Sequence, residues 1–325
     1  MDQPHIFKYN KIFVSENGTE LNDLKIAYHT YGNLNEDKSN VVWVCHALTA
    51  NSDVADWWHP VFGKNKLLDP DKYFIICANN LGSCYGTQFN HVVHQNNAHI
   101  KNNINLTTRD LLKAHQLLFT HLNLEKIHLI IGGSQGGQQA MEWAIHSPTT
   151  IEYMVLLACN AKHSAWGVAF NEAQRMAIAA GENGLKAARA IAMLSYRNYQ
   201  MFHRTLDPKQ DKDYHGTISY QQYQGEKLAN RFTAEAYHIL SSVMDSHDVG
   251  RERESIENAL SKIQAKTLVI GISSDILFPV SEQKFLAAHI PGAQIKIISS
   301  PYGHDGFLTE GKKINKLIKS FLNQL

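Results

Sequence analysis

The chain has 325 residues, 44% of them hydrophobic and 19% charged, which is enough apolar material for one large core and excludes a wholly disordered chain. Lys and Arg (31) balance Asp and Glu (30), so the net charge is +1 and the basic excess that nucleic-acid binding demands is missing. No apolar run approaches the ~18 residues that a membrane span requires.

The opening residues, Met1-Asp2-Gln3-Pro4-His5, show no secretory leader. The four cysteines, Cys45, Cys77, Cys84 and Cys159, form no CxxC pair, and a chain this long needs no disulfide staples; reduced thiols in a cytoplasm are expected. Lys11–Ser15 and Leu24–Thr30 are short and β-rich. Asn40–His46 and Tyr73–Cys77 are near-continuous apolar runs, as in strands covered on both faces. Residues 50–72 read as loop, and residues 86–106, rich in Asn and His, as a long polar excursion.

A regular alternation follows. Thr107-Thr-Arg-Asp110 carries a capping signal ahead of a helix at Leu111–Leu122. Ile127–Ile131 predicts a strand, Ser134–His146 a helix stopped by Ser147-Pro148, and Tyr153–Ala158 another strand. Strands alternating with helices imply a parallel sheet with helices on both faces. Residues 160–262 then give helical patterns only, at Asn171–Ala180, Gly184–Tyr196, Gln221–Arg231, Ala234–Met244 and Arg251–Lys262, with a charged loop at Asp207–His215. Alternation resumes with a strand at Lys266–Ile272, a helix at Glu282–His289, a strand at Gln294–Ser299 and a helix from Lys312. The expected organisation is an α/β core of residues 1–159 and 263–325 carrying a helical insertion of residues 160–262.

The sharpest motif is Gly132-Gly133-Ser134-Gln135-Gly136-Gly137, a G-x-S-x-G between an apolar strand and a helix. In that setting the serine sits on a strained turn with its hydroxyl presented at the strand end, a nucleophile's position. A serine needs a base, and the base needs an acid to orient it. Strand–turn–helix nucleophiles of this kind are followed in the chain by acid and then histidine. Asp275 lies just past the strand Lys266–Ile272 and His304 just past Gln294–Ser299, both where the carboxyl ends of parallel strands converge. Asp275 also suits a helix cap. Asp305 competes as the acid, but it adjoins His304 in sequence. For the oxyanion hole, one donor is the N–H of Gln135, directly after the nucleophile; the other comes from His46-Ala47-Leu48-Thr49, with Leu48 N–H preferred and Ala47 the alternative. The His46 side chain reads as a packed histidine at the sheet end.

These segments together resemble the homoserine O-acetyltransferase family, acyltransferases on the α/β-hydrolase fold. The matching stretches are Cys45-His-Ala-Leu-Thr49, Asn80-Leu-Gly-Ser-Cys-Tyr-Gly-Thr87, Thr107-Thr-Arg-Asp110, the serine elbow with Glu142-Trp143-Ala144, His163-Ser164, Phe170–Arg175, Tyr223–Lys227, Ser274-Asp275 and Gly303-His304-Asp305-Gly306. The resemblance implies that Ser134 takes an acyl group from acyl-CoA and passes it to the hydroxyl of homoserine, in methionine biosynthesis, with no bound cofactor or metal. It also implies that Arg175 grips the substrate carboxylate, that Asp305 meets its ammonium, that Tyr196 adds a contact, and that the chain dimerises through a helical lid. A lid that excludes water would protect the acyl-enzyme from hydrolysis. The sequence departs from the family pattern at Gln88–His94, where a Gly-Pro element is usual, and at Gln135 and Gln138, where methionine is usual. An esterase or thioesterase on the same triad, or a non-catalytic protein keeping the fold, are the other classes; acetyl versus succinyl donor and homoserine versus serine acceptor stay open at this level.

Overall fold

The computed structural model describes residues 3–91, 105–206 and 215–323. In chain order its elements are β1 (His5–Tyr9), β2 (Phe13–Val14), β3 (Glu20–Tyr31), β4 (Val41–Cys45), α1 (Val54–Trp57), β5 (Phe74–Ala78), β6 (Gln88–His91), α2 (Thr108–His121), β7 (Ile127–Gly133), α3 (Gln135–His146) and β8 (Ile151–Leu157). There follow α4 (Ala165–Ala179), α5 (Gly184–Tyr196), α6 (Tyr199–Leu206), α7 (His215–Ala229), α8 (Ala234–Asp245), α9 (Ile256–Ser261), β9 (Lys266–Ile272), α10 (Val280–His289), β10 (Gln294–Ile298), α11 (Gly306–Thr309) and α12 (Gly311–Asn323). A 3₁₀ turn, Gly303–Asp305, precedes α11.

One sheet runs in the order β1-β3-β5-β4-β7-β8-β9-β10, with β2 and β6 also paired to β3. The stretch from β5 to β10 is parallel, and β3 is antiparallel to all its partners. Alternate residues of the buried strands feed two cores, because side chains alternate faces along a strand. Trp43 and Cys45 of β4 join Leu111, Leu118, Met141 and Trp143 on one face. Val42 and Val44 join Ile314, Ile318 and Phe321 of α12 on the other. Those three positions share one stripe of α12, each worth about 1.5–3 kcal/mol when fully buried. The expected capping signal forms a full box, with Asp110 N–H bonded to Thr107 Oγ1 at 3.3 Å and Thr107 N–H to Asp110 Oδ2 at 2.8 Å.

The structure differs from the expected elements at several points. β1 and α6 lie in segments for which no element is expected, α1 falls within residues 50–72, expected as loop, and the strand expected at Lys11–Ser15 shortens to β2. Part of the polar excursion, Gln88–His91, is a strand on the antiparallel edge of the sheet; residues 92–104 lie outside the described residues, as do 207–214 of the charged loop.

The insertion has a narrow neck. His163 N–H donates to His247 O (2.9 Å), Val249 N–H donates to Ala161 O (3.0 Å), and Lys162 and Asp248 form an antiparallel bridge between the outgoing and returning chain. Beyond the neck, α9 packs with the main core through Ala259 and Leu260, and Arg253 makes paired bonds to Glu142 of α3 (2.8 and 3.2 Å). Among the described residues, the lid helices α4 to α8 reach the main core through Val243 and Ile239 of α8. Their apolar side, with Leu228, Phe232, Tyr237, Leu240 and Met244, settles on Leu48, Leu277 and Phe278 at the carboxyl ends of the strands.

Candidate active site

Ser134 stands between β7 and α3 with φ 56° and ψ −127°, a conformation that costs a non-glycine residue energy and survives only where the surroundings enforce it. The enforcing contact is visible at Gly136: a Cβ there would lie 2.0 Å from Cys45 O, so only glycine lets the start of α3 press against the end of β4. That approach brings the loop after β4 beside Ser134.

Asp275 follows β9, and His304 occupies the 3₁₀ turn after β10. Asp275 Oδ2 is 2.7 Å from His304 Nδ1, while its Oδ1 accepts N–H bonds from Leu277 (2.8 Å) and Phe278 (2.9 Å). The carboxylate is thus held on both oxygens, and it fixes the imidazole proton on Nδ1, leaving Nε2 as the acceptor. The imidazole is 3% exposed and packed by Phe278 (5.0 Å, stacked), Phe307 (5.3 Å, edge-on) and Tyr196 (5.7 Å).

A cavity of about 520 Å³ opens between core and lid, lined by Ser134, His304, Leu48, Tyr196, Arg189 and Asp305 among others. The N–H groups of Leu48 and Gln135 carry no hydrogen bond among the described residues. Asp305 is on this cavity, 3.0 Å from Nε of Arg197, which also lines it. Tyr196 is partly buried beneath the Arg189 guanidinium (5.4 Å to the ring centroid), and burial pushes its phenol pKa up. The structure therefore draws Ser134, Asp275, His304, Leu48, Gln135, Tyr196 and Asp305 to one place.

Arg175 is the correction. Its guanidinium is tied to Asp245 (2.7 Å) and Glu172 (2.8 Å) and bonds Ser241 Oγ (3.3 Å), which pins α4 to α8; it is not on the cavity. Arg189 is one of the lid cations that line the cavity, and its Nε lacks a hydrogen-bond partner among the described residues. Among the described residues no group of three or more His, Cys, Asp or Glu is arranged to hold a metal ion.

The sequence profile described as alpha/beta hydrolase fold matches residues 40–311. A homoserine O-acetyltransferase of Cyclobacterium marinum is 44% identical over 97% of this chain and 94% of its own length. The chain belongs to the homoserine O-acetyltransferase family. Among solved structures, the homoserine O-acetyltransferase of Staphylococcus aureus superposes with a TM-score of 0.85 at 28% identity, over 98% of this chain and 95% of that one. Esterase E22 shares the fold at 21% identity, with a TM-score of 0.84 over 98% and 99% of the two chains.

Within this family frame the described residues among the sequence departures, Gln88–His91, Gln135 and Gln138, are not among those lining the cavity. Gln88–His91 is β6, on the sheet edge. Gln135 turns its side chain to Leu240 O of α8 (2.9 Å), and Gln138 turns its own to Asn160 Oδ1 (3.0 Å). The residues that sequence reasoning missed are Arg189, Arg197, Lys227 and Arg231, all on the cavity. A signal for Arg189 was present: it precedes Tyr196 by seven residues on one helix, two turns on the same face.

Proposed function

We propose that this chain is an acyltransferase that moves an acetyl group from acetyl-CoA to the hydroxyl of L-homoserine through a Ser134 ester, feeding methionine biosynthesis. The observation that carries the reading is the cavity itself: Arg189 and Asp305, opposite in charge, share it with Ser134 and His304, as a zwitterionic acceptor requires.

In the first half-reaction Ser134 Oγ gives its proton to His304 Nε2 as it bonds the thioester carbon. The tetrahedral oxyanion faces the Leu48 and Gln135 N–H groups, whose stabilisation is typically worth about 3–4 kcal/mol per donor. The C–S bond then breaks, and coenzyme A leaves as the thiol with the proton held by His304. In the second half-reaction the homoserine hydroxyl gives its proton to His304, its oxygen bonds the acyl carbon, and Ser134 Oγ leaves with that proton. Asp275 stays ionised and supports the imidazolium formed in each step. The Arg189 fork binds the carboxylate, and Asp305, shared with Arg197, receives the ammonium. Lys227 and Arg231 on the lid rim suit the phosphates of the donor.

The finer parts of the reading concern assembly and location. Trp166, Leu194, Tyr199, Ile218 and Tyr223 expose apolar surface on the lid helices, which a second copy would cover in a homodimer. Four free cysteines and a biosynthetic reaction suit the cytoplasm. Among the described residues no helix is long and apolar enough to cross a membrane. The deciding experiment is coenzyme A release from acetyl-CoA with and without homoserine. Homoserine should turn a single stoichiometric burst into steady turnover; turnover that ignores homoserine would make the chain a thioesterase or esterase.

A further inference from the structure

The loop that presents Leu48 begins with a histidine that is wholly enclosed. His46 directly follows β4 and has 0% exposure. Its Nε2 lies 3.0 Å from the Asn80 backbone nitrogen, and its Nδ1 lies 2.8 Å from Ala47 O. A backbone N–H can only donate, so Nε2 is the acceptor and the ring proton sits on Nδ1. That proton is donated to the carbonyl of the very next residue. Burial lowers the His46 pKa to about 4, so the ring is neutral and keeps this tautomer near neutral pH.

The bond has a directional consequence. The peptide joining Ala47 to Leu48 is trans, and a planar trans peptide points its C=O and N–H in opposite directions. Holding Ala47 O on the ring therefore fixes where Leu48 N–H points. The same oxygen also accepts from Ala50 N–H (3.0 Å), which closes the turn. Leu48 lines the cavity with Ser134, and its N–H is unused among the described residues.

We infer that His46 is a positioning residue that aims the Leu48 N–H at the oxyanion formed on Ser134, through its Nδ1–H bond to Ala47 O and its Nε2 bond from Asn80. This rests on the acyl-enzyme reading above. The inference separates the two ring nitrogens: the Nδ1 side sets catalytic geometry, while the Nε2 side ties the turn to the loop after β5.

Two substitutions divide those roles. In His46→Asn an amide N–H replaces Nδ1 and still reaches Ala47 O, but Asn80 loses its acceptor. In His46→Gln the longer amide offers an oxygen near Nε2, and Ala47 O loses the ring donor and keeps only Ala50 N–H. Stopped-flow release of coenzyme A measures acylation of Ser134, and thermal melting measures the fold. His46→Asn should acylate within about fivefold of wild type. His46→Gln should lose about 10²–10³ in acylation rate, the range seen when one oxyanion donor is removed, with the acetyl-CoA KM within about threefold and a melting temperature similar to that of the Asn variant. Equal loss in both variants, loss expressed in KM, or loss that follows the melting temperature overturns the inference and leaves His46 a packing residue. Wild-type protein carrying ¹⁵N-histidine gives a reading independent of variants: a His46 proton on Nε2 rather than Nδ1 overturns it as well. A wild type that releases no burst of coenzyme A sinks the acyl-enzyme reading, and this inference with it; a normal wild-type burst leaves the variants to judge His46 alone.

Discussion

Acid should unfold this protein in a narrow and calculable window, because four histidines are buried in neutral form. Burial lowers His46 and His163 to about 4 and His115 and His247 to about 3. In the unfolded chain each titrates near 6.5. Depressed values mean that the unfolded state binds more protons, so this stability is fully present above about pH 6.5 and is lost as the pH falls towards 4. Between pH 7 and pH 5 an unfolded histidine gains about 2 kcal/mol from protonation while the folded one gains almost nothing. Four such groups amount to roughly 7 kcal/mol, comparable with the whole stability of an ordinary domain. The melting temperature should therefore fall by roughly 10–20 °C between pH 7 and pH 5, and unfolding at pH 5 should take up about three to four protons through these sites. Circular-dichroism melts across that range, with the transition enthalpy from calorimetry, give both quantities. The location of the histidines adds a functional signature: His163 and His247 stand at the neck of the lid and His46 under Leu48, so acylation should fail before the sheet melts. A melting temperature that moves less than about 3 °C across the window refutes the reasoning, since it requires these imidazoles to be protonated in the folded chain or already shielded in the unfolded one.

The remaining predictions concern the cavity. Asp275→Asn removes the charged partner of His304 and should cost about 10⁴ in kcat with little change in melting temperature, whereas Asp305→Asn should raise the homoserine KM and leave the coenzyme A burst intact. Arg189→Ala should weaken homoserine by about 2–5 kcal/mol, at least thirtyfold in KM, while Arg175→Ala should lower the melting temperature and leave that KM near wild type; the reverse pattern would restore Arg175 to the site. The double change Lys227→Ala with Arg231→Ala should reduce kcat/KM for acetyl-CoA by about 10–100-fold and spare S-acetyl-pantetheine, which lacks the pyrophosphate and the ribose phosphate. Equal losses on both thioesters would remove these cations from donor recognition.

The parallel sheet was legible because its strands are apolar on both faces and its helices carry strong punctuation, from the Thr107–Asp110 box to Ser147-Pro148. The site's core was legible for a related reason. A serine on a strand–turn–helix, an acid and a histidine at successive strand ends are local signals tied to chain order. Arg175 and Arg189 were not separable in that way. Both are lid arginines on amphipathic helices, and which one meets the cavity depends on how α4, α5 and α8 pack, a tertiary outcome decided by the Arg175–Asp245 pair. Likewise β6 turns a single apolar residue, Phe89, to the core between exposed Gln88 and Asn90, too short an alternation to read as a strand. How the insertion joins the core was not legible, because α8 and α9 are helical like their neighbours and nothing in their periodicity reveals that Val243, Ala259 and Leu260 pack into the main core.

The neck at Ala161–His163 and His247–Val249 makes the lid an exchangeable part. Since the chain leaves and re-enters across a single bridge, the register of β8 against β9 does not depend on what lies between. Closing a loop twice as long costs only about 0.6 kcal/mol more, so the frame tolerates inserts of very different size. On the reading proposed above, acceptor choice resides largely in Arg189, Tyr196 and Arg197 of the insert, while Ser134, Asp275 and His304 sit wholly in the frame. Selection can therefore trade one admitted substrate for another by rewriting α4 to α7, which lie outside the main core, while Val243 of α8 stays in it. The same join offers an engineer a cut site: new helices in place of α4 to α7, with the bridge and the Val243 core contact kept, should leave the sheet folded and admit a new guest.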